Sequence, residues 1–204
     1  MEQALIIWGG WQGHKPKLTV NILKEELSKN EYKVKLTSNL AVLINEDLTK
    51  YDVIIPIWSV GIKSTVYLKA LLDAVREGVG LATFHGGIKW FIDDNYYHLI
   101  GGNYIKDSEE ESFTVEIVNQ NHPVTEYLED FEITSELYYL QFDPRNEILA
   151  EAEFKGVKMP ISWVKNFGDG RVYYTSLAHA PEHLFEKHSL RMLLAGINWA
   201  AGRI

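Results

Sequence analysis

The run Gly80-Leu81-Ala82-Thr83-Phe84-His85-Gly86-Gly87 constrains the fold more than any other part of the chain. Its first five residues carry no charge and read as a strand buried on both faces, the kind found in a parallel sheet flanked by helices. The two glycines after His85 predict a sharp turn, and a helical pattern follows. A buried strand ending in a small-residue turn holds one side chain out at the carboxyl edge of an α/β sheet, where such folds bind ligands. That position usually carries serine or cysteine. Here it carries His85, and the chain contains no cysteine at all. Disulfides, thiolate metal sites and cysteine nucleophiles are therefore excluded.

Two similar apolar runs precede this one. Residues 4–8 are closed by Gly9-Gly10, and residues 51–58 form another buried strand. A helical pattern begins at Pro16, with Val20, Leu23 and Leu27 on one face. A second is capped by Ser64 or Thr65, turns Leu68, Leu71, Leu72 and Val75 inward, and stops at Gly78. Residues 32–37 alternate apolar and polar, as an edge-side strand does. The order so far is β-α-β-β-α-β, and crossover helices demand parallel strands with right-handed connections. Beyond His85 the pattern changes. Strands are predicted at 113–118, 131–139, 148–154, 159–164 and 171–176, the last two joined by a hairpin turn at 166–170. The strand over 131–139 is expected to pass into a loop carrying Glu136 and Tyr138. A helix from about 181 to 201 closes the chain. There is no repeat, low-complexity tract or linker, so residues 1–204 predict one domain. Its predicted form is a doubly wound, mostly parallel α/β sheet with antiparallel strands added in the second half.

His14, His85 and His179 each fall just after a predicted strand. Loops at the carboxyl ends of parallel strands converge on one face, so these three predict a shared pocket. Imidazole suits both acid–base work near neutral pH and metal ligation. Glu136 and Tyr138 would add a carboxylate and a phenol. Gly86, Gly87, Trp11 and Trp90 would shape the substrate side, and Arg171 would hold an anionic or hydroxylated ligand. Each also has a plainer reading. A single histidine is as often a hydrogen-bonded structural residue as a working one. Glu136 more often caps or pairs, and the tryptophans mainly pack. His98, His183 and His188 lie in or beside helical patterns and read as surface residues; His122 reads as a turn residue. Gly9-Gly10 is no dinucleotide fingerprint, because the third glycine is missing, and no His-Glu-x-x-His helix is present. A metal site would have to be assembled from distant loops. Its candidate ligands are His14, His85 and His179, and its candidate ion is a divalent metal such as zinc.

The net charge of −8 and the lack of a basic cluster exclude nucleic acid and anionic membrane as natural partners. The opening residues run directly into a strand, without the features of a signal peptide, and no apolar run approaches the ~20 residues that span a bilayer. A cytoplasmic location is the expectation. Tyr96 and Tyr97 are expected to lie in a pocket or in a homo-oligomer interface.

Taken in order, eight segments resemble the ThuA-like family, named for a trehalose utilisation protein. They are Gly9-Gly10-Trp11-Gln12-Gly13-His14, Val79-Gly80-Leu81 leading to His85-Gly86-Gly87, Leu99-Ile100-Gly101-Gly102, His122-Pro123-Val124-Thr125, Ser135-Glu136-Leu137-Tyr138-Tyr139, Met159-Pro160-Ile161-Ser162-Trp163, Gly168-Asp169-Gly170-Arg171-Val172 and Ser176-Leu177-Ala178-His179. The resemblance implies a class I glutamine amidotransferase-like, flavodoxin-like fold. In glutaminases of that fold a cysteine occupies the turn, and a histidine and a glutamate complete the triad. Here His85 stands at the cysteine position, and His179 with Glu182 looks like a loosened His-Pro-Glu. Glutamine hydrolysis through a thioester is therefore ruled out at this site. Two departures stand out. Lys106-Asp107-Ser108-Glu109 replaces a His-Pro-Gly segment common in the family, and Ala178-His179 replaces Gly-His.

The resemblance implies an enzyme of carbohydrate metabolism acting on a sugar or oxidised sugar, by isomerisation or hydrolysis. His85 would be the central acid–base group, with His14, His179 and Glu136 beside it and a small-molecule carbohydrate as its partner. The alternative is a non-catalytic sugar-binding or regulatory protein on the same fold.

Overall fold

The computed structural model describes residues 1–154 and 156–204. Among the described residues nine strands form one sheet: β1 (Gln3–Gly9), β2 (Lys33–Thr37), β3 (Val53–Trp58), β4 (Gly80–Phe84), β5 (Gly102–Ile117), β6 (Phe131–Phe142), β7 (Glu147–Phe154), β8 (Val157–Phe167) and β9 (Gly170–Thr175). Their spatial order is β2-β1-β3-β4-β9-β8-β7-β5-β6. The α-helices among the described residues are α1 (Pro16–Lys29), α2 (Val42–Asn45), α3 (Thr65–Arg76), α4 (Asp94–Ile100) and α5 (Lys187–Ala200).

Alternation along the buried strands explains why helices cover both faces. Ala4 and Ile6 of β1 turn to the side of α1 and α5, where they pack with Leu23, Leu27, Met192 and Ile197. Leu5 and Ile7 turn to the other side, against Leu68, Leu71 and Val75 of α3 and Leu99 and Ile100 of α4. Successive side chains of a strand face opposite ways, so a strand covered on both sides must be apolar throughout.

The expectation of a mostly parallel sheet needs correction. β2, β1, β3, β4 and β9 are parallel, but β9-β8, β8-β7, β7-β5 and β5-β6 all pair antiparallel. The physical reason is the kind of connection. From β5 onward successive strands are joined without a crossover helix, by segments such as 118–130, 143–146 and 168–169, and a direct return of this kind favours antiparallel neighbours.

β5 and β6 form a long ribbon with irregularities in register between Tyr104 and Lys106 and between Asp107 and Glu110. Glu136 and Tyr138 therefore lie within a strand, β6, and not in the expected loop. The closing helix also differs from expectation. A 3-10 turn at Pro181–Phe185 ends at Glu186, whose carboxylate accepts from the backbone N–H of His188 and Ser189 and starts α5 afresh. Among the described residues no helix is long and apolar enough to cross a membrane.

Candidate active site

β4 ends at Phe84, and His85 adopts φ +43°, left-handed backbone that is uncommon outside glycine. A 3-10 turn, His85–Lys89, follows at once. This sharp exit from the strand aims the imidazole across the carboxyl edge of the sheet, as in strand-to-helix nucleophile turns. Gly86 keeps the turn close to its neighbours. A Cβ there would stand 2.4 Å from Ser59 Cβ and 3.6 Å from His14 Cε1.

His14 follows β1 and His179 follows β9, so the parallel topology delivers both to the edge where His85 emerges. The ring centroids are 4.9 Å apart for His14 and His85, 4.7 Å for His85 and His179, and 5.2 Å for His14 and His179. His179 is preceded by Ala178 at φ +64°. The alanine thus holds the left-handed backbone that glycine favours.

His85 is 2% exposed, and its protonation is legible from its partners. Nδ1 lies 3.1 Å from the carbonyl oxygen of Ser176. A carbonyl only accepts, so Nδ1 carries the proton and Nε2 presents a lone pair when the ring is neutral. Burial, with His179 and His14 adding to it, pushes the His85 pKa well below its ordinary value and keeps the ring neutral. Three polar atoms converge on that Nε2. Tyr138 Oη is 2.7 Å away, His179 Nδ1 3.0 Å and Glu136 Oε2 3.7 Å. The same Glu136 oxygen is 3.1 Å from His179 Nδ1. Positions two apart on a strand share a face, which is why β6 presents both Glu136 and Tyr138 to His85. The bulge opposite them, where β5 places two residues between Asp107 and Glu110 against the single Leu137 between Tyr138 and Glu136, sits beside the site.

The electrostatics separate these groups. Burial raises the Glu136 pKa, with Asp107 and Glu110 adding to it and His179 and Lys89 opposing. Burial pushes the Tyr138 hydroxyl far above its ordinary value, so it remains a donor. His14 falls to about 4 through burial and the neighbouring His179 and Lys89. Burial also lowers Lys89, whose ammonium lies 3.9 Å from the centroid of the Tyr104 ring.

Gly86 and Gly87 border a cavity of about 30 Å³ together with His14, Trp58, Ser59, His85 and His179. Trp11 is exposed and meets His14 edge-on at 4.7 Å, so it stands at the rim. Other expected site residues lie elsewhere. Trp90 is fully buried among Phe91 and Tyr96, because the turn that exposes His85 folds the next aromatic side chains inward. Tyr96 is likewise buried, its hydroxyl donating to the Gly87 carbonyl at 2.6 Å, so it belongs to neither a pocket nor an interface; Tyr97 is half-buried. Arg171 opens β9 at the opposite end of the sheet and donates to the carbonyls of Trp199 and Ile204. A larger cavity of about 540 Å³ lies at that far end, but its Arg145 and Lys165 are already paired with Asp143. Glu182, expected to partner His179, is exposed and paired with Lys15 at 3.0 Å. Glu136 takes the place beside His179.

Three neighbours escaped the sequence reading. Lys89 had a signal, since it closes the same short turn as His85. His183 had one too, in the His-x-x-x-His spacing from His179. Its ring lies 6.2 Å from that of His179, and its buried Nδ1 has no hydrogen-bond partner among the described residues. Asp107 pairs with Tyr138 in the ribbon register, which depends on a bulge that no local pattern marks. His122 is a turn residue as expected, yet it is buried, with Nδ1 accepting from the backbone N–H of Val124.

A sheet with helices on both faces and a histidine-lined carboxyl edge defines an α/β protein with a candidate site at that edge. The family model described as ThuA, trehalose utilisation, matches residues 3–200, and the chain belongs to that family. Solved structures agree on the fold. A ThuA-like protein from Bacteroides uniformis superposes with a TM-score of 0.82 at 20% identity, covering 98% of this chain and 91% of that one. A ThuA-like protein from Parabacteroides merdae gives 0.84 at 17% identity, covering 100% and 91%. A β-galactosidase from Bacillus circulans sp. alkalophilus gives 0.69 at 16% identity, covering 98% of this chain but 31% of the enzyme. No curated protein sequence matches the chain.

Proposed function

We propose that this ThuA-family protein is an enzyme of carbohydrate utilisation that acts on a sugar or oxidised sugar by proton transfer. The observation that carries the proposal is the convergence of Tyr138 Oη, His179 Nδ1 and Glu136 Oε2 on His85 Nε2, within 2.7 to 3.7 Å, at the carboxyl edge of the sheet. A protein that merely binds needs no such knot of titratable groups. In this arrangement Glu136 and His179 form the acid–base pair, His85 holds them in register, and Tyr138 offers a hydroxyl to a developing oxyanion. That chemistry serves an isomerisation next to a carbonyl or a hydrolysis. With a neutral imidazole where a thiol would stand, glutaminase chemistry through a thioester has no nucleophile. Trp11 at the rim gives an exposed indole on which a sugar ring can stack. A small carbohydrate is the partner, and the absence of cysteine suits the reducing cytoplasm as the place of action.

The test is a panel of disaccharides, glycosides and their keto forms, assayed with the wild type and with Glu136→Gln. Turnover of one panel member by the wild type, abolished in the variant, is the expected result. Sugar binding without turnover of any member would replace the enzyme by a binding protein.

A further inference from the structure

From the placement of the three histidines, we propose that His14, His85 and His179 bind one divalent transition-metal ion, zinc being the first candidate. The inference deepens the sugar-enzyme reading of the same site and rests on it for the use of the ion, though binding itself does not depend on that reading; an ion held through His179 Nδ1 leaves Glu136 as the acid–base group. One ring nitrogen from each histidine lies within 4.8 Å of the other two. The rings face one another nearly edge-on, at interplanar angles of 75°, 77° and 80°. Nitrogens bound to one tetrahedral zinc at about 2.0–2.1 Å stand about 3.3 Å apart. The separation of 3.0 Å between His85 Nε2 and His179 Nδ1 is close to that, and a His14 ring nitrogen lies within 4.8 Å of both.

The surroundings favour an ion over a hydrogen-bonded cluster. Tyr138 and His179 both approach the single in-plane lone pair of His85 Nε2, which one donor already satisfies. The Ser176 carbonyl fixes the His85 proton on Nδ1 and turns the lone pair into the site, the arrangement usual behind a metal-bound imidazole. The adjoining cavity of about 30 Å³ has room for an ion or a water and is far too small for a sugar. An all-nitrogen donor set suits zinc, nickel or copper and not magnesium or calcium, which take oxygen ligands. Three protein ligands also leave one tetrahedral position open, as in catalytic zinc sites, with Glu136 beside it.

The test uses the full chain purified without an affinity tag, stripped with EDTA and reloaded with zinc chloride. After gel filtration the wild type and the exposed-site control His98→Ala are expected to carry about one zinc per chain, and magnesium is expected not to bind. His14→Ala and His179→Ala, both at positions open enough to leave the fold intact by circular dichroism, are each expected to weaken zinc binding by more than about 100-fold. A wild type that takes up less than about a tenth of an equivalent, or an affinity unchanged in either variant, overturns the site. Zinc uptake without sugar turnover keeps the site and defeats the enzyme reading. Turnover that survives complete stripping keeps the enzyme and removes the ion from its chemistry, while zinc uptake alone decides the site.

Discussion

Glu136 Oε2 lies 3.1 Å from His179 Nδ1, joining the antiparallel ribbon of β5 and β6 to the loop that leaves the last parallel strand. Neither half of the sheet holds the pair alone. Glu182, only three residues beyond His179, is turned to solvent and paired with Lys15 instead. Replacing Glu136 with glutamine keeps the shape and removes the exchangeable proton. We expect a fall in kcat of about 10²- to 10⁴-fold on the sugar the wild type turns over. Glu182→Gln is expected to change kcat by less than about twofold, since an exposed ion pair contributes little. Steady-state kinetics on both variants decide between the two carboxylates, and the reverse ranking would restore the His-Pro-Glu-like assignment.

Tyr138→Phe addresses the hydroxyl alone. Tyr138 is 1% exposed and its ring packs against Tyr104 at 4.9 Å, a contact phenylalanine preserves. His85 Nε2 keeps His179 Nδ1 as a partner, so the substitution leaves no orphaned nitrogen. The expected cost is about 1 kcal/mol in urea unfolding, the net worth of one buried hydrogen bond, with a larger proportional loss in kcat. A stability loss above about 3 kcal/mol with kcat unchanged would make Tyr138 a structural residue.

The parallel half of this protein was legible because its signals are local. Residues 4–8 and 80–84 are apolar without interruption, and Gly9-Gly10 and Gly86-Gly87 mark where those strands end. The placement of His14, His85 and His179 on one edge follows from those strand ends and from the geometry of crossovers. The antiparallel half was less legible because its controlling features are long-range. A bulge opposite Glu136 and Tyr138 sets which residues face the site, and no short pattern encodes a bulge between distant strands. Trp90 and Arg171 show the same limit. One is drawn into the core by the turn beside it and the other sits at the wrong end of its strand, outcomes decided by packing and by strand direction.

Acid should weaken the edge of the sheet near β2 through Glu46. Its carboxylate takes hydrogen bonds from Lys35, from Lys50 at 2.7 Å and from Tyr51 at 2.8 Å. Led by Lys35 and Lys50, these hold its pKa down to about 2 from an ordinary 4.5. A depressed folded-state value means the contribution is fully present above pH 4.5 and is lost as the pH falls toward 2. Both lysines are exposed and Glu46 partly so, so the contribution is at most about 1 kcal/mol and shrinks in high salt. Unfolding of Glu46→Gln is expected to differ from wild type by that amount at pH 7 and to converge with it near pH 2. A constant difference across the range would assign the effect to packing.

Gly87→Ala probes the turn that presents His85. A Cβ at Gly87 would stand 1.8 Å from Thr83 Oγ1, which donates to the Pro56 carbonyl at 2.8 Å inside the sheet. The Gly87 carbonyl also accepts from the buried Tyr96 hydroxyl, so the turn is held from both sides and cannot back away freely. Either Thr83 gives up its bond or the turn shifts and carries His85 with it. Overpacking of this kind costs about 1–3 kcal/mol, and a lost buried hydrogen bond adds about 1 kcal/mol more. We expect Gly87→Ala to lower the urea midpoint accordingly and to reduce kcat as well. The double variant Thr83→Ser with Gly87→Ala keeps the hydroxyl and so is expected to recover little. Thr83→Ala with Gly87→Ala removes the 1.8 Å contact, leaving only the residue-83 Cβ at 3.1 Å, and is expected to recover kcat ahead of stability, because the Pro56 carbonyl is still left without its donor. Full recovery of stability with kcat still low would mean that His85 is positioned by something other than this contact.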